Sequence, residues 1–306
     1  MIDIVSISKF FNGKAAVDQI SLQANQGEVL VLLGTSGCGK TTTLKMINRL
    51  IEPDKGQIFI AGKDIRERGI HDLRRQIGFV MQHAGLFPHY TVARNIAVVP
   101  ELLKWEKKKI SMRTAELLHK LNLGEEIQQG YPHELSGGQQ QRVGIARALI
   151  ADSPILLMDE PFGALDNITK ADIHAEFRSL EEIRSKTIIL VTHDVSEAFE
   201  LGQRICLMDK GKIVQIGTPK ELLYRPANEF VANFFAENRL LLEYKVTTLQ
   251  ELQGITAIDP FISRYGFTLS TDLWHATQVL SMHTDTAQAY ETLVGAFNNY
   301  RKQQVV

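Results

Sequence analysis

Short runs of apolar, β-branched residues alternate with longer segments whose apolar positions recur every three to four residues. That rhythm predicts a three-layer α/β domain. Glu28-Val29-Leu30-Val31-Leu32-Leu33 reads as a buried strand that runs straight into a glycine-rich loop. From Thr41 onward, Leu44, Ile47, Leu50 and Ile51 fall on one helical face, so strand, loop and helix follow in that order. Ile155 to Met158 is a second apolar run and ends at Asp159-Glu160. Ile188 to Val191 is a third and ends at Thr192-His193. The pattern therefore places three polar clusters at the carboxyl ends of buried strands, where open α/β sheets bind ligands. Between about residues 94 and 151 the period is helical throughout, which predicts a helical insertion. Arg204 to Ile216 predicts a hairpin turning at Asp209-Lys210-Gly211, and a helix is expected from about Lys220 to Glu237.

Composition narrows the picture. A chain of 306 residues holds one large domain and a small one. Its formal net charge of -1 gives no support for a generic nucleic-acid surface. The longest apolar runs are too short to span a bilayer, and Met1 to Ser6 lacks the features of a secretory signal, so a cytosolic location is expected. The two cysteines, Cys38 and Cys206, have neither metal-like nor disulfide-like spacing.

The chemistry sits in the polar clusters. Gly34-Thr35-Ser36-Gly37-Cys38-Gly39-Lys40-Thr41 has the form G-x-x-x-x-G-K-T, a loop whose amides wrap nucleotide phosphates. Lys40 is expected on the β- and γ-phosphates, and the Thr41 hydroxyl on Mg²⁺. Two adjacent carboxylates, Asp159 and Glu160, repel one another unless a cation lies between them. Asp159 is thus expected in the Mg²⁺ shell, with Glu160 polarising the attacking water. His193, after the third strand, is placed to reach a γ-phosphate, although a lone histidine there is more often a structural residue than a catalytic one. Gln82, taken alone, has the same ambiguity. Cys38, at a helix start, is a candidate for ATP-protectable alkylation, or a small filler.

Leu135-Ser136-Gly137-Gly138-Gln139 decides among the phosphate-loop proteins. With Gly34–Thr41, Gln82, Asp159-Glu160, Ala164-Leu165-Asp166 and His193, it forms an ordered set that resembles a complete ATP-binding cassette (ABC) ATPase subunit over residues 1–236. The resemblance implies a RecA-like core with an antiparallel β subdomain and a helical signature subdomain at about 94–151. Gln82 would sense Mg²⁺ and a permease, Asp166 would organise a dimer seam, and His193 would contact the γ-phosphate. Gly34 to Thr42 would hold ATP, and Phe11 would stack on adenine, although the adjacent Phe10 competes for that role and either could instead be core. Leu135, Ser136, Gly137, Gly138 and Gln139 would complete the nucleotide site of the opposite subunit in a homodimer.

Thr35 to Leu50 is similar, in particular, to the ATPases of osmoprotectant importers for glycine betaine, choline, carnitine or proline betaine. Gly85 to His89 and Met158 to Asp166 fit importers in general, and Leu86 and Phe87 are candidates for a groove that receives a permease helix, or for ordinary core. What the resemblance implies is an ATP-hydrolysing subunit on the cytoplasmic face of the membrane, bound to a permease and served indirectly by an extracytoplasmic solute-binding protein. An importer of another solute, an amino acid or a polyamine, is the nearest alternative. ABC ATPases of DNA repair insert long coiled coils or zinc-binding segments between Thr41 and Leu135, and neither is present. Ribosome-acting relatives carry two cassettes, and a plain P-loop kinase leaves Leu135–Gln139 unexplained. Residues 237–306 resemble a reduced CBS-type region, expected as a small α/β regulatory extension. There a helix capped at Asp285 or Thr286 would present Ala289, Leu293 and Phe297.

Overall fold

The computed structural model describes residues 1–163, 165–282 and 286–304. Ala164 of the third carboxylate motif, and His283, Thr284 and Asp285 before the last helix, lie outside the described residues, as do Val305 and Val306. Two compact units are present, Met1–Val214 and Gln215–Val306.

In the first unit, β1 (Ile2–Phe11), β2 (Lys14–Ala24), β4 (Lys55–Ile60) and β5 (Lys63–Asp64) form an antiparallel sheet in the order β2-β1-β4-β5. Ile2, Ile4 and Ile7 of β1 bury one face; the irregular pairing between Ile4 and Ile7 coincides with Ser6, whose φ is 47°. The second sheet runs β10-β9-β3-β8-β7-β6, with β3 (Val29–Gly34), β6 (Ile77–Val80), β7 (Ile155–Asp159), β8 (Thr187–Thr192), β9 (Arg204–Asp209) and β10 (Lys212–Gly217). β3 pairs in parallel with β8 and β9, and β7 with β6 and β8. Parallel strands covered on both faces need apolar residues at every position, which is why these strands were readable as continuous runs. Leu30 to Leu33, Leu156 to Met158 and Ile188 to Val191 are all fully buried. Register fixes the functional edge: Leu33 lies opposite Thr192, and Asp159 opposite Val191. The last residues of β3, β7 and β8 therefore emerge together.

Helices α1 (Lys40–Ile47), α2 (Ile70–Arg75), α3 (Val92–Leu102), α4 (Lys107–Lys120) and α5 (Gly137–Leu149) come before β7. Then follow α6 (Asn167–Ser179), α7 (Glu181–Arg184) and α8 (Val195–Leu201). The insertion expected at about 94–151 is α3 to α5, joined by two 3-10 turns with no strand between.

The second unit contains α9 (Pro219–Tyr224), α10 (Glu229–Phe234), α11 (Arg239–Val246), α12 (Leu249–Leu252), α13 (Asp259–Tyr265), α14 (Leu273–Ser281) and α15 (Ala287–Gln304). The single helix expected over Lys220–Glu237 is thus two helices, interrupted around Pro226, whose missing N–H and clash with the preceding turn stop α9. The extension expected to be α/β is helical among the described residues, its only β pairing there a bridge between Thr248 and Asp272. Its core is a separate cluster of Leu249, Leu252, Leu273, Leu280, Leu293 and Phe297, with Ala289 packed at the edge. Glu243, buried on α11, is neutralised by Arg239 and Arg301 at 2.8 and 2.7 Å. Among the described residues, no helix is long and apolar enough to cross a membrane.

Candidate functional site

The loop after β3 is built from backbone close approach. Gly34, Gly37 and Gly39 have φ of 152°, 77° and 101°. A Cβ at Gly34 would lie 2.1 Å from the Met208 carbonyl oxygen, and one at Gly39 would lie 2.4 Å from that of Ala16. Only glycine satisfies both the angles and the space. Gly39 caps α1, so the helix points its unpaired N–H groups and positive end at the loop. Lys40 is buried, and its Nζ donates to the carbonyls of Gly34 at 2.8 Å and Thr35 at 2.9 Å.

A cavity of about 440 Å³ opens beside this loop, lined by Ala16, Ser36 and Gly37, by Gly39 to Thr42, and by Gln82, Glu160 and His193. Five segments separated in sequence thus converge. Thr41 Oγ1 donates to Asp159 Oδ1 at 2.7 Å. Burial raises the Asp159 carboxyl above the usual aspartate value, partly offset by the Thr41 hydrogen bond. Glu160 has the unusual backbone of the site. Its φ is 44°, a strained angle for a side-chain-bearing residue, held by its N–H donating to Val191 O at 2.9 Å. Gln82 Nε2 donates to Glu160 Oε2 at 3.0 Å, and His193 Nδ1 lies 3.2 Å from the same oxygen. The paired Thr41 hydroxyl and Asp159 carboxylate are oxygen donors of the hard type that suits Mg²⁺, and Gln82 lines the same cavity as Thr41.

Not every expected residue is in the cavity. Phe10 and Phe11, at the end of β1, are 38% and 47% exposed, so neither is core, and neither lines the cavity. Thr35 and Cys38 belong to the loop but turn away from it: Thr35 Oγ1 donates to Asp209 Oδ1 at 3.3 Å. Cys38 is 1% exposed, with its Sγ 2.9 Å from where a Gly34 Cβ would stand. Of the two readings of Cys38, burial favours the filler: the thiol is covered under the loop.

Leu135–Gln139 contributes nothing to this cavity. Ser136 caps α5, accepting from Gln139 N at 3.3 Å, while Gln139 Oε1 accepts from Ser136 N at 2.9 Å. Ser136 and Gly137 are exposed, and nothing lies within 4 Å of a Cβ built at Gly137, so the turn offers bare backbone N–H groups. Gly138, by contrast, packs on α6, where a Cβ would meet Thr169 at 2.8 Å. Asp166 caps α6, accepting from Thr169 N at 3.0 Å and Thr169 Oγ1 at 2.7 Å.

Sequence reasoning missed the residues that hold the Gln82 loop. Arg147, on α5, donates to the carbonyls of Gly85 at 2.8 Å and Ala84 at 2.7 Å. Fully buried Asn95 accepts from Phe87 N at 2.7 Å and donates to Phe87 O at 3.1 Å. No local pattern marks either. Phe87, 42% exposed, lines a groove of about 350 Å³ with Met81, Gly85, Val98 and Val99, so it is not core; Leu86 does not line it.

Comparison with known proteins agrees with this geometry. Residues 17–163 match the family model described as ABC transporter. The chain is 49% identical over 273 residues to the glycine betaine/carnitine/choline transport ATP-binding protein OpuCA of Bacillus subtilis, covering 89% of this chain and 70% of that one. It is 50% identical over 240 residues to the glycine betaine uptake system ATP-binding protein YehX of Escherichia coli, covering 78% of each. The solved dimeric structure of MJ0796, a bacterial ABC transporter cassette, superposes with a TM-score of 0.65 at 33% identity, covering 71% of this chain and 98% of that cassette. The strand-end cavity, the separate exposed signature turn and these likenesses together place the chain in the ATP-hydrolysing family of ABC transporter ATP-binding proteins.

Proposed function

We propose that the chain is the motor subunit of an importer for a quaternary ammonium osmoprotectant of the glycine betaine, choline or carnitine type. The observation that carries the motor reading is the division of the site. Gln82, Glu160 and His193 meet at the cavity, whereas Ser136 and Gly137 stand exposed outside it. A homodimer in which each signature turn closes on the other chain's ATP unites the halves. ATP is then held by Gly34 to Thr42, with Lys40 on its β- and γ-phosphates and Phe11 against the adenine. Thr41, Asp159 and Gln82 would hold Mg²⁺, which supplies charge neutralisation on the phosphates. Glu160 orients the attacking water, His193 contacts the γ-phosphate, and Asp166 lies at the seam between subunits. Phosphoryl transfer depends mainly on positioning and charge stabilisation, so closing the dimer is itself the catalytic switch.

The chain works at the cytoplasmic face of the membrane, with the groove lined by Met81, Phe87, Val98 and Val99 receiving a segment of a separate permease. Because that groove adjoins the loop carrying Gln82, permease movement and nucleotide state act on one element. An extracytoplasmic solute-binding protein acts indirectly, through the permease. Functionally, residues 1–236 constitute the ATPase and residues 237–306 an accessory extension. The solute class is supported by the OpuCA and YehX likenesses. The test is uptake of labelled betaine, choline and carnitine by cells with and without the chain, alongside recovery of a permease on the tagged chain from solubilised membranes. Loss of one such uptake is expected; a recovered permease with all three uptakes intact refutes the solute class, and no permease refutes the importer.

A further inference from the structure

α6 carries ionic side chains at helical spacing on the face toward α8. Lys170 Nζ lies 2.6 Å from Asp194 Oδ2 and 3.1 Å from Glu197 Oε2. One turn further, His174 Nδ1 is 3.4 Å from Glu200 Oε2, and Arg178 Nη2 is 3.0 Å from Glu200 Oε1. Elsewhere on the helix, Glu176 takes a two-pronged ion pair from Arg142 of α5, at 2.8 and 3.0 Å, and a hydrogen bond from Asn122 at 2.8 Å. α6 is thereby tied to the signature helix on one side and to α8 on the other.

The α8 end of this ladder bears on His193. Thr192 Oγ1 donates to Glu197 Oε2 at 3.1 Å, and Asp194 N donates to Thr192 Oγ1 at 3.0 Å. Both neighbours of His193 are therefore fixed through Glu197 and Asp194, and both of those carboxylates are held by Lys170. The Glu197 side chain is 1% exposed, and its Oε1 has no hydrogen-bond partner among the described residues. Without a cation beside it, that carboxylate would be a costly buried charge. The imidazole of His193 is 59% exposed and touches Glu160. Its position at the cavity depends on the backbone that Lys170 secures.

We infer that Lys170 is a positioning residue for ATP hydrolysis, setting His193 through Asp194 and Glu197. Misplacing a reacting group by about 1 Å costs up to about a hundredfold in rate. The loss falls on turnover and not on nucleotide binding, because no hydrogen bond or ion pair among the described residues joins Lys170, Asp194 or Glu197 to the phosphate loop. The inference rests on the assignment of His193 to the γ-phosphate.

The experiment is steady-state ATP hydrolysis and fluorescent-nucleotide binding by the full chain bearing Lys170→Met, Lys170→Arg, His193→Ala, and Lys170→Met combined with His193→Ala. Lys170→Met is expected to lower kcat about tenfold with nucleotide affinity unchanged, and Lys170→Arg to retain most of the rate. Once His193 is absent, Lys170→Met should add less than about twofold, because the two act as one unit. Asp194→Asn covers the case in which Lys170→Met does not fold. It keeps the cap on α8 while removing one charge that Lys170 holds, and a smaller loss of kcat is expected. Parental turnover in Lys170→Met or Asp194→Asn, a fall in nucleotide affinity matching the fall in kcat, or a full additional loss in the double variant overturns the role of Lys170. Parental turnover in His193→Ala instead overturns the γ-phosphate assignment beneath it.

Discussion

The phosphate loop and the signature turn are both glycine-rich helix starts, yet they are built on opposite principles. At the phosphate loop all three glycines have positive φ, and at Gly34 and Gly39 a neighbouring carbonyl oxygen stands where a Cβ would be. Its polar groups are already engaged, Lys40 with loop carbonyls and Thr41 with Asp159. At the signature turn Gly137 is surrounded by open space, and the cap is closed by its own Ser136 and Gln139. The first is a preformed cradle that must exchange internal contacts for phosphate. The second is an exposed turn that, as proposed, completes a site only when a second chain arrives. Under the proposed function, one chain carries two halves of a site that it does not bring together.

The largest expected effect concerns the chemistry that the cradle side alone supplies. If Glu160 orients the attacking water as proposed, Glu160→Gln, which keeps the shape but removes the charge, should lower hydrolysis at least about a hundredfold while ATP is still bound. Radiolabelled phosphate release and nucleotide binding, measured together, check this. Rapid turnover would remove Glu160 from its role.

A second pair of substitutions sharpens the contrast itself. Gly39→Ala meets both a φ of 101° and a carbonyl oxygen 2.4 Å away, so it should destabilise the fold by more than about 1 kcal/mol. Gly137→Ala enters open space at the first position of a helix and should be neutral or slightly stabilising. Thermal unfolding of the two variants separates them; equal losses would mean that the two turns are built alike.

The smallest effect is a pH dependence. Burial holds the Asp159 carboxyl above its usual value, so it takes up a proton sooner than an ordinary aspartate as the solution is acidified. The protonated acid cannot serve a cation. Mg²⁺-dependent strengthening of nucleotide binding should therefore fade as pH drops from neutral through that raised value, and Asp159→Asn should flatten the profile. Titration calorimetry with and without Mg²⁺ reads it.

Legibility followed the same division. Buried parallel strands announce themselves as unbroken apolar runs, and the residues after them inherit their place at the sheet edge, so Gly34, Asp159, Glu160 and His193 could be placed by reading forward. Parts that depend on distant partners could not. Arg147 and Lys170 are ordinary cations on amphipathic helices until the fold brings Ala84, Gly85, Asp194 and Glu197 against them. Cys38 reads from sequence as filler or as a reactive thiol at a helix start, and only packing shows that the thiol is covered. Residues 237–306 lack a binding motif, and short helices such as Leu249–Leu252 fall below the length at which a helical period can be recognised. The break at Pro226 was visible in the residues but was outweighed by the apolar periodicity on either side.

The central claim is that the signature turn serves the other chain's nucleotide and not its own. It is tested most directly by placing Gly137→Asp in the Glu160→Gln background and measuring fluorescent-ATP binding and molecular mass on the same sample. Glu160→Gln alone should become a dimer when ATP is added. With Gly137→Asp also present, the chain should bind ATP as tightly as before and remain a monomer, because the new carboxylate repels only the partner's phosphates. Loss of ATP binding by the monomer, or ATP-driven dimerisation that proceeds unchanged, would contradict the account.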